Sequence, residues 1–161
     1  MCGLAGFLGF NNIQIDNASN IVRNMGAAII HRGPDSSGIW LDINSEIALV
    51  HQRLSIVDLS PAGHQPMESQ SKRFIMSFNG EVYNHLELRS KLQASNVQIN
   101  WRGHSDTETL LASIETWGLD KTLKMCIGMF AIALWDRYEK TLYLVRDRLG
   151  EKPLFYGNVN G

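Results

Sequence analysis

The spacing of apolar residues most limits how this chain can fold, because it places predicted strands in adjacent pairs and groups predicted helices between those pairs. Strand patterns cover 4–10, 37–43, 46–50, 53–58, 73–84, 127–135 and 141–147, and 154–157 begins a further candidate. Helical patterns cover 17–30, 85–94 and 106–117, and a surface loop is predicted at 59–72. Paired strands with short connections favour antiparallel sheets over a doubly wound parallel sheet. We therefore expect an α+β fold with helices covering antiparallel sheets.

Composition and charge are those of an ordinary globular domain. The 161 residues are 44% hydrophobic and carry 15 basic and 16 acidic side chains without a run of like charges, which argues against a nucleic-acid or membrane surface. No apolar run reaches the roughly 18–20 residues of a membrane span, and the N-terminus lacks the features of a signal peptide. Two cysteines are too few for a disulfide framework. We expect one cytoplasmic domain that binds small molecules or other proteins.

Cys2 is the first candidate for chemistry, because it directly follows Met1. Removal of Met1 would leave Cys2 with a free α-amino group, whose pKa of about 8 lets it accept the thiol proton near neutral pH. The alternative is an ordinary buried or frayed cysteine. Cys126, which precedes a predicted strand, is expected to be a small buried hydrophobe.

Polar residues in three other segments have both a chemical and a structural interpretation. Asn79-Gly80 offers a side-chain amide and a backbone N–H to an oxyanion, or interrupts the run 73–84 as a tight turn. Arg53 can bind a carboxylate through two N–H groups, or lie on the surface. Glu81 and Asp106 can receive an ammonium group, or serve as a solvated charge and a helix cap.

Metal and phosphate motifs do not occur. The histidines lie in different segments, no pair has HxxxH spacing, and neither GxGxxG nor GxxxxGK[ST] is present. The sequence therefore predicts neither a metal site nor a cofactor in this chain.

Six segments together resemble the class II glutamine amidotransferase domain, in particular the N-terminal half of glutamine-hydrolysing asparagine synthetases. They are MCGLAGF (1–7), HRGPDSSG (31–38), HQRLSIVDLSPAGHQPM (51–67), FNGEVYNHLELR (78–89), GHSDTETLL (103–111) and GMFAIALWDRYEKTLYLVRDRLGEKPLFYG (128–157). The resemblance covers essentially the whole chain in the family's order. It implies an N-terminal nucleophile hydrolase fold, a four-layer αββα sandwich of two antiparallel sheets between helical layers.

The same resemblance implies hydrolysis of the side-chain amide of L-glutamine. Cys2 matches the nucleophile, and Asn79 and Gly80 match the oxyanion hole. Arg53 matches the arginine that binds the α-carboxylate of glutamine. The pocket backbone implied by the resemblance is that of Leu54, Ser55, Ile56 and Val57.

In the same resemblance, Glu81 and Asp106 match the carboxylates that receive the α-ammonium group of glutamine.

The family's full-length enzymes continue into a synthetase domain that uses ATP and magnesium. The motif of that domain, SGGxDS, does not occur here. We therefore expect one amidotransferase domain over 1–161, a C-terminal synthetase domain as its partner in a longer protein, and a homodimer as an open possibility. Two alternatives remain: the glutaminase domain of a sugar or other acceptor amidotransferase, and a catalytically silent regulatory domain.

Overall fold

The computed structural model describes residues 2–9 and 15–158. The elements in chain order are β1 (Gly3–Leu8), α1 (Ile15–Ala28), β2 (Ser36–Asp42), β3 (Ile47–Arg53), β4 (Met67–Glu68), β5 (Phe74–Val82), α2 (His85–Ala94), α3 (Asp106–Trp117), α4 (Leu119–Met125), β6 (Gly128–Asp136) and β7 (Thr141–Arg146). In this part of the chain, no helix has the length and apolar character that crossing a membrane requires.

The strands form two antiparallel sheets that pack face to face. Sheet A has the order β1-β3-β2 and sheet B the order β4-β5-β6-β7. Successive side chains of β3 point to opposite faces, so Ala48 and Val50 pack against α1 while Ile47 and Leu49 pack against sheet B. Trp135 of β6 fills the space between the sheets.

Helices cover the outer face of sheet B as well. Phe78 of β5 and Ile132 of β6 pack with Leu88 of α2 and Leu110 of α3 in the largest apolar cluster. The four layers are therefore α1, sheet A, sheet B and the group α2–α4. This confirms the expected α+β architecture, with two antiparallel sheets between helical layers.

The local predictions for α2 and α3 are confirmed residue for residue. The Ser105 hydroxyl accepts the backbone N–H of Glu108 at 3.1 Å, which caps α3, and Gly118 ends this helix with a φ of 82°. The strand predicted over 4–10 is β1, and Phe10 lies outside the described residues.

Three strand-level predictions are wrong. The run 53–58 is not a strand beyond Arg53, because the Asp35 and Asp58 carboxylates bind backbone N–H groups of the following loop and replace a ladder. The segment 154–157 forms no strand, and its aromatic side chains are exposed rather than packed on a sheet. Asn79-Gly80 does not turn the chain, because β6 pairs with β5 along its whole length.

Two short elements were absent from the predictions. The predicted surface loop 59–72 contains β4, which pairs with β5, and it also contains buried side chains. The helix α4 follows α3 after the single residue Gly118. Both elements are too short to give a clear periodic signal.

Candidate active site

A cleft opens where the end of β3, the middle of β5 and the start of α3 meet in front of β1. The residues that line it are Cys2, Arg53, Leu54, Ile56, Val57, Asp58, Gly63, Gln65, Phe78, Asn79, Gly80, Glu81, Ser105, Asp106, Thr107 and Met129. All site residues predicted from the sequence are among them except Ser55. The backbone N–H of Ser55 instead donates to Asp35 at 2.8 Å, which anchors the loop after β3.

Cys2 lies beside the end of β3. Gly3 pairs with Gln52, so the antiparallel register places Cys2 next to Arg53. The backbone N–H of Leu54 lies 3.4 Å from the Cys2 sulfur and donates to it, and the Leu54 carbonyl oxygen lies 3.6 Å from the same atom. These two contacts with the Leu54 backbone hold the Cys2 sulfur at the end of β3. The side chain is half-buried and reaches the cleft.

Arg53 closes β3 and is 8% exposed. Its guanidinium donates to the carbonyl oxygen of Ser60 at 3.0 Å and to that of Asp58, which fixes its plane at the cleft. Gly63 makes room for this arrangement, because a Cβ there would overlap the guanidinium. The remaining N–H groups of Arg53 have no partner in the part of the chain that the structure describes, so they can bind an anion.

Asp58 holds the loop after β3 to the segment before α3, a role that the sequence analysis missed. One carboxylate oxygen accepts the N–H of Ser60 at 2.8 Å, and the other accepts the N–H of His104 at 2.9 Å. Hydrogen bonds from Ser60 and from the His104 backbone lower the pKa of Asp58 to about 2. The pattern Asp-x-Ser, typical of a side-chain-supported turn, is the signal that could have identified this residue.

The backbone of β5 directs alternate residues to opposite edges of the strand. Hydrogen bonds join Arg137 to Arg73 at one end of the β5–β6 ladder and Tyr83 to Ile127 at the other. The residues of β5 with odd numbers therefore face β6, and those with even numbers face away from it. We call the edge that faces away from β6 the free edge of β5.

Gly80 is the residue of the free edge whose N–H remains available. Phe78 and Val82, on either side of it, donate to Gln65 at 2.7 Å and to Asp106 at 3.0 Å. The Gly80 N–H has no such partner within residues 2–9 and 15–158, and Gly80 lines the cleft. A Cβ at this position would overlap the Met129 carbonyl of β6, so the close strand packing requires glycine.

Asn79 places a second polar group next to this N–H. Its backbone faces β6, while its side chain is 6% exposed and lines the cleft. The side-chain oxygen of Asn79 has no hydrogen-bond partner in the described part of the chain. A side-chain amide beside an unpaired backbone N–H can stabilise negative charge that develops on an oxygen atom.

The acidic side chains of the cleft differ in burial. Asp106, the first residue of α3, is 5% exposed, and its two oxygens accept the N–H groups of Val82 at 3.0 Å and Thr107 at 2.9 Å. Burial raises the pKa of Asp106, although these hydrogen bonds oppose the shift. Glu81 is exposed at the rim. The cleft thus combines a thiol, a guanidinium and carboxylates, as expected for a site that binds a zwitterion.

Other residues considered from the sequence lie elsewhere. Cys126 is 1% exposed in the core, and burial raises the pKa of its thiol to about 11, so it serves packing. Among the described residues, no group of three or more His, Cys, Asp or Glu side chains is arranged to hold a metal ion.

Comparison with known proteins agrees with this geometry. The family model described as glutamine amidotransferase domain matches residues 1–161. Asparagine synthetase [glutamine-hydrolyzing] 1 of Bacillus subtilis is 36% identical over 99% of this chain and 24% of its own length. Amidase chry2 of Gibberella zeae is 34% identical over 97% of this chain and 24% of its own length. The chain thus spans about a quarter of the length of these relatives.

A solved structure supports the fold independently. Glutamine phosphoribosylpyrophosphate amidotransferase of B. subtilis aligns with 89% of this chain and 36% of its own, with a TM-score of 0.59 and 18% sequence identity. The layered sheets described above are therefore an N-terminal nucleophile hydrolase fold. Together with the family match, these findings show that the chain belongs to the class II glutamine amidotransferases, as an amidotransferase domain of the type found in asparagine-synthetase-like proteins.

Proposed function

We propose that this chain hydrolyses L-glutamine to glutamate and ammonia, with Cys2 as the nucleophile after Met1 has been removed. The observation that carries the proposal is the presence in one cleft of the Cys2 thiol and the Gly80 N–H, which has no partner among the described residues. The thiol supplies the attacking atom, and the N–H can stabilise the oxygen that becomes negative during attack.

In the proposed reaction the α-amino group of Cys2 accepts the thiol proton, directly or through water. The sulfur then attacks the side-chain amide carbon of glutamine, and the Asn79 amide and Gly80 N–H stabilise the tetrahedral oxyanion. The protonated amine gives its proton to the departing nitrogen, so ammonia leaves and a γ-glutamyl thioester remains on Cys2. Water attacks the thioester, which releases glutamate and regenerates the thiol. This sequence requires no cofactor.

The charged lining supports glutamine as the substrate. The N–H groups of Arg53 that do not bind Ser60 or Asp58 can bind the α-carboxylate, and Asp106 and Glu81 can receive the α-ammonium group. Leu54, Ile56 and Val57 line the same wall of the cleft, whereas Ser55 does not. Binding both charged ends would direct the side-chain amide towards Cys2.

The use of the ammonia depends on the protein that contains this domain. The relatives named asparagine synthetase are about four times as long as this chain, so we propose that a C-terminal synthetase portion, using ATP and magnesium, consumes the ammonia. A second candidate is supply to a different acceptor, because a relative of almost equal identity is named an amidase. Product analysis of the full-length protein with candidate acceptors distinguishes the two.

The test is glutamate release from glutamine by an untagged chain whose N-terminus has been determined by mass spectrometry. We expect turnover only when Met1 is absent, loss of turnover in Cys2→Ala, and near-normal turnover in the matched variant Cys126→Ala. A folded chain that begins at Cys2 and releases no glutamate would contradict the proposal and favour a silent regulatory domain.

A further inference from the structure

We propose that His51 and Gln65 are positioning residues that hold the Phe78 backbone so that the neighbouring Asn79 and Gly80 face the Cys2 sulfur. We call His51 and Gln65 together the Phe78 clamp. The inference rests on the proposed function, because it assigns these two residues to the oxyanion hole of that reaction.

The clamp acts where the sheet leaves β5 uncovered. The strand β4 pairs only with Ile75 and Met76, so the free edge of β5 has no neighbouring strand from Phe78 onward in the described part of the chain. Side chains take the place of that strand. The Phe78 N–H donates to the Gln65 side-chain oxygen at 2.7 Å, and the Phe78 carbonyl oxygen lies 3.0 Å from His51 Nε2.

His51 belongs to β3 of the opposite sheet and is fully buried. A carbonyl oxygen can only accept a hydrogen bond, so its contact with Phe78 fixes the tautomer that carries the proton on Nε2. The other ring nitrogen, Nδ1, is buried without a partner within residues 2–9 and 15–158. Burial lowers the pKa of His51 to about 4, so the ring is neutral near pH 7.

This arrangement is costly for a residue that only fills space. The two side chains that precede His51 on the same face of β3, Ile47 and Leu49, are apolar, and an apolar residue in place of His51 would leave no unpaired nitrogen. His51 supplies a hydrogen-bond donor that reaches from sheet A to one carbonyl oxygen of β5 in sheet B, which an apolar residue cannot do. Its contribution is therefore the direction of the Phe78 peptide group.

Gln65 extends the same constraint to α3. Its side chain is 5% exposed, and its amide nitrogen donates to the Thr107 hydroxyl at 3.2 Å while its oxygen accepts the Phe78 N–H. One turn of the same helix supplies Asp106, which accepts the Val82 N–H. The free edge is thus fixed on both sides of Gly80, and the Gly80 N–H is left directed into the cleft.

Positioning matters because an oxyanion donor acts only over a short distance. A displacement of about 1 Å can cost on the order of 100-fold in rate, whereas the groups that bind the ends of the substrate need not move. Loss of the clamp should therefore lower kcat and leave the KM for glutamine nearly unchanged.

The test compares His51→Leu with His51→Gln and with the control Gln52→Leu. Gln52 is the next residue of β3, is 3% exposed, and donates to the Gly26 carbonyl at 3.0 Å on the face covered by α1. Both Leu variants lose one buried hydrogen bond to a backbone carbonyl, so they are matched in stability cost. We expect a fall in kcat of about 10- to 100-fold in His51→Leu alone, and recovery of most of it in His51→Gln, whose amide nitrogen can replace Nε2.

Two further readouts separate positioning from general damage. Alkylation of Cys2 by iodoacetamide should proceed at the wild-type rate in His51→Leu, because this reaction does not use the oxyanion hole. Nitrogen NMR of the wild-type chain should show a neutral His51 ring protonated on Nε2. If His51→Leu does not fold, Gln65→Met tests the other half of the clamp with the same kinetics.

The outcomes are distinguishable. If the wild-type chain turns over glutamine and His51→Leu matches Gln52→Leu in kcat, or the ring carries its proton on Nδ1, the clamp is wrong while the proposed function stands. If the chain that begins at Cys2 shows no turnover, the proposed function fails and the clamp fails with it.

Discussion

Replacement of Asp58 by Asn tests how the Arg53 side of the cleft is held in place. The Asp58 carboxylate accepts the N–H groups of Ser60 and His104, and Arg53 in turn binds the Asp58 carbonyl oxygen. An Asn side chain keeps the shape and one acceptor oxygen, but it removes the charge and turns an NH2 group towards one of the two N–H donors. The substitution should therefore separate the loop after β3 from the start of α3.

The magnitude follows from the pKa of the carboxyl group. A fall from 3.8 to about 2 on folding corresponds to about 2 kcal/mol of stability near pH 7. Because the pKa is depressed in the folded state, this stabilisation is present above the unfolded pKa and is lost as the pH falls through about 2. Near pH 3 about half of it should remain.

Urea unfolding of the wild-type chain and Asp58→Asn near pH 7 and near pH 3 measures this difference. We expect a loss of about 2 kcal/mol near neutrality that shrinks to about half in acid, and an increase in the KM for glutamine as Arg53 loses its fixed position. The exposed residue Glu139 supplies the control, because Glu139→Gln should change stability by less than about 0.5 kcal/mol. A loss in Asp58→Asn that does not depend on pH, or an unchanged KM, would show that the Asp58 carboxylate does not hold this side of the cleft in place.

Two other substitutions test the remaining walls of the cleft. Gly80→Ala should lower kcat by about 10²–10³-fold, because its Cβ would overlap the Met129 carbonyl and displace the oxyanion donor. The control is Gly157→Ala, which should have no effect because its Cβ would meet no atom of the described residues within 4 Å. Equal kinetics in the two variants would remove Gly80 from the site. Arg53→Lys should raise the KM for glutamine by about 10- to 100-fold. The single ammonium group of lysine cannot bind the Ser60 and Asp58 carbonyl oxygens and the glutamine carboxylate at the same time as the planar guanidinium can. Cys126→Ala should leave KM unchanged, and similar KM values for these two variants would contradict the carboxylate site.

The sequence was most informative where structure is local. The helix α3 could be predicted to its first and last residues because Ser105 caps it and Gly118 ends it. The six motifs identified the family and nine of the residues that line the cleft. Residues of one motif are neighbours along the chain, so they lie together in the fold. Ser55 was the exception, since a neighbouring carboxylate uses its N–H.

The sequence was least informative where a residue depends on a distant partner. Asn79-Gly80 favours a turn in isolation, and only the pairing with Ala131 and Phe130 of β6 keeps the pair within a strand. The contacts of Asp58 with His104 and of His51 with Phe78 could not be predicted from the sequence, because these partners lie 46 and 27 residues away along the chain. Long-range hydrogen bonds of this kind are visible only after the two sheets have been assembled.

Detection of a covalent intermediate on Cys2 tests the proposed nucleophile directly. An untagged chain that begins at Cys2 is mixed with glutamine, quenched in acid within a fraction of a turnover, digested and examined by mass spectrometry. If Cys2 is the nucleophile, the peptide that contains it should carry a γ-glutamyl group that hydroxylamine removes, in a larger amount than any other peptide. In Cys2→Ser, no γ-glutamyl thioester should form. Release of glutamate by a chain whose Cys2 peptide is never modified, or by Cys2→Ala itself, would show that Cys2 is not the nucleophile.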